Sequence, residues 1–178
     1  MSGQKHGQEF ETAINRQNRS YVRDGRAWCW HTFPPFILQQ RLKGGRFIGR
    51  LMGEAPPDYL VFAAGQFFMI EAKSFKSARF SWANIHPHQA RALSTLDEFD
   101  GAVAVLAIRS AAIGEVAFLR WSAVAEDWAQ WRAHKISDTR APSGAGSMAW
   151  GDLRARAVVV LRWPDCDYLE ALTCKLNS

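Results

Sequence analysis

The stretch that most constrains the fold is residues 56–73, in which two short apolar runs flank a tight turn. The runs are residues 59–62 and 67–70, and Gly65 between them can adopt the positive φ that a tight turn requires. Apolar runs separated by so short a turn predict a β-hairpin. A hairpin places residues that are far apart in the sequence directly opposite each other on its two strands.

The register of this hairpin predicts a cluster of charges. A turn centred on residues 64 and 65 pairs residue 62 with 67 and residue 60 with 69, and it places Asp58 opposite Glu71. Directly opposed residues have Cβ atoms roughly 4.5–5.5 Å apart. Strand alternation puts Lys73 on the same face as Glu71. We therefore expect Asp58, Glu71 and Lys73 to meet at the open end of the hairpin.

Two opposed carboxylates destabilise a sheet unless another charge compensates them. The run 67–70 is apolar on both faces, which indicates an inner strand that ends in charge. A divalent metal ion held by oxygen ligands, with Lys73 beside it, would resolve the repulsion. An ordinary Glu71–Lys73 ion pair with a turn aspartate at Asp58 is the simpler interpretation, and the spacing alone is consistent with both.

Composition limits the class of protein. The 178 residues suit a single domain spanning 1–178, and a net charge of +5 favours a polyanionic partner. The three cysteines show no C-x-x-C spacing, which predicts neither a disulfide framework nor a zinc site and favours a reducing cytoplasm. No run approaches the roughly 18 apolar residues of a membrane span, so we expect no membrane partner.

The remaining pattern predicts an α/β fold with a central mixed sheet flanked by helices. Residues 7–23 have helical spacing, with Glu11 at the border of their apolar stripe. Pro87 favours a second helix start, which places Gln89 on that helix's inner face. Residues 101–109 form a strongly apolar run typical of a central strand.

Two further segments are candidates for function. Residues 39–53 carry four basic residues and no acidic residue. The Gly44-Gly45 pair suits the tip of a projection. Such a projection could contact a phosphate backbone or could be an ordinary solvated loop. The basic residues are Arg41, Lys43, Arg46 and Arg50. Residues 135–156 are predicted to be a long loop, functional or mobile.

Four motifs in order give the chain a resemblance to a known family. They are Gly7-Gln-Glu-Phe-Glu11, Pro57-Asp58-Tyr59, Glu71-Ala-Lys73 and Asn84-Ile-His-Pro-His-Gln89. The chain resembles the RecU-type Holliday-junction resolvases, a branch of the PD-(D/E)xK nucleases, over about residues 3–109. The match at 84–89 is its most specific part. The resemblance implies a restriction-endonuclease-like core, with the basic projection in the place of that family's stalk.

The activity implied by the resemblance is a magnesium-dependent endodeoxyribonuclease. Such a protein acts as a homodimer on four-way DNA junctions and introduces paired, symmetric nicks, with manganese able to replace magnesium. The resemblance implies that the catalytic residues are Glu11, Asp58, Glu71, Lys73 and Gln89.

The resemblance also implies a role for each of these residues. Asp58, Glu71 and the backbone carbonyl of Ala72 would bind the metal ion. Glu11 would act through a water molecule or hold a second ion. Lys73 would orient the attacking water or stabilise charge in the transition state. The set is completed by Gln89, which would position the nucleophile or the DNA backbone.

Two other functions fit parts of the same pattern. The first is a nuclease of the same fold that acts on other DNA, as repair and restriction enzymes do. No segment suggests a separate domain for reading base edges, which counts against sequence-specific restriction. The second is a protein that binds DNA structures without catalysis, and the presence of all five catalytic candidates counts against it.

Overall fold

The computed structural model describes the backbone of residues 2–137 and 144–174, and side chains from residue 7 onward. The helices are α1 (Ser2–Arg23), α2 (Pro87–Leu96), α3 (Ala125–Ile136), α4 (Trp150–Arg156) and α5 (Leu169–Cys174). The strands are β1 (Trp28–His31), β2 (Phe36–Arg41), β3 (Phe47–Leu51), β4 (Tyr59–Ala63), β5 (Gln66–Phe75), β6 (Arg79–Ser81), β7 (Ala102–Ser110), β8 (Glu115–Arg120), β9 (Ser147–Ala149) and β10 (Val159–Arg162). No helix in this described part of the chain is long and apolar enough to cross a membrane.

Six strands form a central mixed sheet in the order β1-β4-β5-β7-β8-β10. The pair β5–β7 is parallel and the other pairs are antiparallel. Helix α2 lies in the crossover between β5 and β7, as a parallel connection requires. The predicted α/β class with a central mixed sheet flanked by helices is confirmed.

Both faces of the sheet are covered by apolar side chains. Helix α1 contributes Phe10 and Ile14 to one face, together with Leu172 from α5. Helix α2 contributes Leu93 to the opposite face, where Trp121 also packs. The predicted central strand, β7, is buried between these two layers. The sheet therefore has two distinct faces, and α1 and α2 lie on opposite ones.

The structure confirms the predicted central hairpin and the predicted register of its two strands. Strands β4 and β5 pair Phe62 with Phe67 and Leu60 with Met69. The turn between them consists of Ala64 and Gly65, whose φ angles of 50° and 76° are both positive. Because β5 continues beyond the start of β4 and pairs with β7 on its other side, the hairpin ends inside the sheet.

The basic segment forms a projecting hairpin, made of β2 and β3, that pairs with no strand of the central sheet. It spans Phe36 to Leu51, so it begins earlier than the predicted 39–53, because the apolar residues after the proline pair already lie in β2. Its tip contains Gly44 and Gly45, both with φ of 73°. Both strands of this projection are exposed.

The prediction of a long loop at 135–156 is wrong over much of that range. Residues 147–149 form β9, which pairs with β6, and residues 150–156 form α4. Glycine and proline suggested a loop, but Met148, Trp150 and Leu153 are buried and pack in the core on the α2 face of the sheet. Residues 138–143 of the predicted loop lie outside the described part of the chain.

Tyr21 ties the first helix to the end of the chain. Its side chain is fully buried, and its hydroxyl donates to Asp167 Oδ1 at 2.8 Å. The same hydroxyl oxygen accepts from the backbone N–H groups of Tyr168 at 2.9 Å and Leu169 at 3.2 Å, at the start of α5. One side chain of α1 therefore satisfies polar groups that would otherwise be buried without partners.

We predict that Tyr21→Phe lowers the free energy of unfolding by about 1–3 kcal/mol, because it leaves two backbone donors without an acceptor. Urea denaturation would measure the change. Tyr59→Phe is the matched control, since Tyr59 is equally buried and its hydroxyl makes a single long hydrogen bond among the described residues, to Glu11 O at 3.3 Å. Equal losses for the two variants would contradict this account of Tyr21.

Candidate active site

The open end of the β4–β5 hairpin brings the two predicted metal-binding acids together. Asp58 immediately precedes β4, and its Oδ2 accepts from the backbone N–H of Ala72 at 2.8 Å. Glu71 precedes Ala72 on β5, at the position that the register predicts to face Asp58. The aspartate is therefore held against β5 by its side chain, just beyond the last residue pair of the ladder.

The Glu71 carboxylate is the centre of the site. The residue is fully buried. Its Oε1 accepts from Lys73 Nζ at 2.6 Å and from Gln89 Nε2 at 2.6 Å. Its Oε2 is also buried but has no hydrogen-bond partner in the described part of the molecule. One carboxylate oxygen is thus satisfied twice, whereas the other is left able to accept an additional ligand.

Gln89 is oriented from both ends of its amide. Its Oε1 accepts from the backbone N–H of His86 at 3.0 Å, which satisfies a donor at the start of α2. Its Nε2 must then point away from that N–H, and it donates to Glu71. The structure therefore places Gln89 on the Glu71 carboxylate, while its predicted role toward the nucleophile or the DNA backbone stays a prediction.

Glu11 approaches the site from α1. Its backbone carbonyl accepts from the hydroxyl of Tyr59, which follows Asp58 directly. Partial burial and the negative charge of Asp58 raise the pKa of the Glu11 carboxyl, whereas His31 and Lys73 act in the opposite direction. Glu11 therefore lies within electrostatic range of Asp58, His31 and Lys73.

His31 and Thr32, at the end of β1, are neighbours of the site that the sequence did not identify. The His31 ring stacks on Tyr59 with centroids 4.8 Å apart. Thr32 donates its backbone N–H to the carbonyl of Asp58 at 2.9 Å. Only the pairing of β1 with β4 reveals this proximity, and these strands are separated in sequence by the whole projecting hairpin.

Burial makes the site unfavourable for negative charge. Desolvation, reinforced by the charge of Asp58, raises the pKa of Glu71 to about 7, although Lys73 acts to lower it. Burial also raises the pKa of Asp58, against the effects of the Ala72 N–H and Lys73. One ammonium group therefore does not fully compensate these carboxylates, which is the condition in which a bound cation is stabilised.

The oxygen atoms at this end of the hairpin fit a hard divalent cation. Within the described residues no group of three or more His, Cys, Asp or Glu side chains forms a metal cluster. The fit rests instead on the unpartnered Oε2 of Glu71, the carboxylate of Asp58 and the carbonyl of Ala72. The N–H and C=O of a strand residue point to the same edge, so the Ala72 carbonyl shares the edge at which its N–H meets Asp58.

The four predicted DNA-binding residues lie on the projecting hairpin, not in the acidic site. All four are exposed. Arg41 lies at the end of β2 with its guanidinium 5.8 Å from the Phe47 ring centroid, and Lys43 is at the tip. The structure therefore separates a basic surface on β2–β3 from the acidic cluster at the β4–β5 end.

Comparisons with known proteins place this geometry in context. The sequence model of the family described as "RecU: Recombination protein U" matches residues 5–140. A solved structure of Hjc, a Holliday-junction resolvase from Archaeoglobus fulgidus, aligns with a TM-score of 0.43 at 10% identity, covering 81% of this chain and 92% of that one. No curated protein matches the sequence. The family match includes all the predicted catalytic residues and the projecting hairpin.

We predict a pH-dependent difference in stability between the metal-free wild type and Glu71→Gln. The pKa of Glu71 rises from 4.5 to about 7 on folding. The folded state therefore binds a proton that the unfolded state lacks in this window, and stability falls as pH rises through it. Between about pH 5 and about pH 8, the wild type should lose on the order of 2 kcal/mol relative to the variant.

Urea unfolding in the presence of a chelator would measure this difference. Glu170→Gln, the same change at an exposed position on α5, should follow the wild-type pH profile. Parallel profiles for wild type and Glu71→Gln would show that burial does not perturb this carboxyl.

Proposed function

The chain belongs to the RecU family of Holliday-junction resolvases, and we propose that it cuts four-way DNA junctions with paired, symmetric nicks at the site around Glu71. A Holliday-junction resolvase is a nuclease that acts on DNA, and the family generally uses a divalent metal ion. We propose that magnesium is this ion and that manganese can replace it. The observation that carries the proposal is the buried Glu71 carboxylate, held by Lys73 and Gln89 beside Asp58.

Asp58, Glu71 and the Ala72 carbonyl would hold the metal ion, and Glu11 would contact it through water or hold a second ion. The hydrogen bond from Ala72 N–H orients the Asp58 carboxylate, and Gln89 with Lys73 orients that of Glu71. When bound, a divalent cation supplies Lewis acidity that makes water a better nucleophile and offsets charge on the phosphate. Fixed ligands reduce the reorganisation needed at the moment of reaction.

Lys73 would contact the scissile phosphate or orient the attacking water. Its ammonium lies 2.6 Å from Glu71 Oε1, and its side chain is 18% exposed, so it is anchored in the site without being fully removed from the surface. An ammonium group in this position can stabilise negative charge that develops on phosphate oxygens during hydrolysis.

The projecting hairpin would provide contacts to the DNA backbone. Its exposed arginine and lysine side chains suit phosphate groups, which supply sequence-independent affinity. A four-way junction has two-fold symmetry, and symmetric nicking calls for two equivalent active sites. We therefore propose a homodimer of single-domain chains spanning 1–178. We also propose a cytoplasmic location, in keeping with three cysteines that are all free thiols.

We predict that the wild type cuts a mobile four-way junction much faster than linear duplex of the same sequence, and only with a divalent ion. Lys73→Met should reduce the single-turnover rate by about 100-fold or more, because it removes a charge that stabilises the transition state. Lys76→Met makes the same change at an exposed residue just after β5 and should cut normally.

Gel assays of junction and duplex cleavage, with magnesium or manganese titrated from zero, would measure these rates. Equal cutting of junction and duplex would reject the resolvase function in favour of a nuclease acting on other DNA. Tight junction binding with no cutting under any metal condition would favour a protein that binds DNA structures without catalysis.

We predict that Arg41→Ala and Arg46→Ala weaken junction binding without changing the cutting rate at saturating protein. A plot of log affinity against log salt concentration has a negative slope. Each lost phosphate contact should reduce the magnitude of that slope by about 1. Fluorescence anisotropy over a salt series, in a chelator, would measure the slope. Arg162→Ala is the control, because Arg162 is exposed on β10 at the opposite end of the sheet order. An unchanged slope would argue against hairpin contacts with DNA.

A further inference from the structure

Thr32 holds the main chain on both sides of the Asp58 backbone nitrogen. It lies between the end of β1 and the proline pair that leads into the projecting hairpin. Its backbone N–H donates to the carbonyl of Asp58 at 2.9 Å. Its hydroxyl donates to the carbonyl of Pro57, the residue before Asp58. Two hydrogen bonds from one residue therefore fix two consecutive peptide groups.

These peptide groups need an external support. The β4–β5 ladder begins at Tyr59, so its pairing does not itself hold the backbone of Asp58. The preceding residues belong to the segment that returns from the projecting hairpin and are not in any strand. Within the described structure, Asp58 is thus held by its side chain from β5 and by its main chain from the end of β1.

The hydroxyl bond of Thr32 fixes a whole peptide group. The peptide bond between Pro57 and Asp58 is planar, so fixing its carbonyl oxygen also fixes the direction of the Asp58 N–H on the opposite side. Thr32 therefore fixes the backbone on both sides of the Cα atom that carries the Asp58 carboxylate.

We propose that Thr32 is a positioning residue for the cleavage reaction, which sets the Asp58 carboxylate relative to Glu71 through its hydroxyl bond to Pro57. This inference rests on the proposed function, since it assigns Thr32 a role in building the metal-binding pair. Thr32 contacts neither the carboxylates nor Lys73 in any described hydrogen bond. Its effect on cutting is indirect and operates through the placement of Asp58.

The test compares Thr32→Val, which keeps the shape of the side chain but removes the hydroxyl, with Thr32→Ser, which keeps the hydroxyl. We expect Thr32→Val to reduce single-turnover junction cutting by roughly fivefold to tenfold, the effect of one hydrogen bond. Thr32→Ser should cut within about twofold of wild type. Thr173→Val is the control, because it removes a hydroxyl that bonds only within α5 among the described residues.

Two measurements separate positioning from general destabilisation. Junction affinity in a chelator should be unchanged in Thr32→Val, and the melting temperature should fall by no more than about 4 °C, because one hydrogen bond is lost while the backbone bond to Asp58 remains. The dissociation constant for Mn²⁺ alone, measured by electron paramagnetic resonance on DNA-free protein, should rise several-fold and recover in Thr32→Ser.

Wild-type rates and wild-type Mn²⁺ affinity in Thr32→Val would overturn the inference. Equal defects in Thr32→Val and Thr32→Ser, or a defect explained by a lowered melting temperature, would do the same. A wild-type protein that fails to cut junctions would instead reject the proposed function. In that case the Mn²⁺ titration alone would test the positioning role of Thr32. A Mn²⁺ affinity unchanged by Thr32→Val would contradict that role.

Discussion

The structure depends on a carboxylate buried in the middle of a sheet. Glu71 has no exposed surface, and a charge in that position is costly unless it is paired and hydrogen-bonded. The surrounding elements meet this demand only in part. Lys73 on the same strand and Gln89 from α2 satisfy one oxygen, while the other has no partner among the described residues and Asp58 adds further negative charge. A site with this imbalance is less stable empty than it would be with a cation present.

The register of the central hairpin could be predicted because all its determinants are local. Two apolar runs, a glycine in the turn and the alternation of strand side chains suffice to place Asp58 opposite Glu71, and the observed pairing has the expected register. Gln89 could be placed on an inner helix face by periodicity. Its target could not, because the contact depends on the crossover that sets α2 over β5, which no local pattern specifies.

The features that the sequence did not predict arise from long-range packing. His31 and Thr32 reach the site through the pairing of β1 with β4, across a loop that contains the projecting hairpin. The segment with β9 and α4 was predicted to be a loop because glycine and proline are frequent there. Burial of Trp150 and Leu153 outweighs that composition. In both cases tertiary contacts, and not intrinsic propensity, decide the local structure.

The position of Thr32 has a mechanical consequence for the proposed function. The projecting hairpin joins the sheet through two proline-containing linkers, and the backbone N–H of Met52 in the second donates to the carbonyl of Pro35 in the first. Proline restricts φ at the end of each linker, at residues 34 and 35 and at residues 56 and 57. The second linker ends at Pro57, next to Asp58, and Thr32 of the first linker binds that same peptide. If the hairpin binds DNA as proposed, both of its linkers lead to the peptide group between Pro57 and Asp58 that Thr32 holds. The basic surface and the acidic site are separate in space, but they share one short, braced connection.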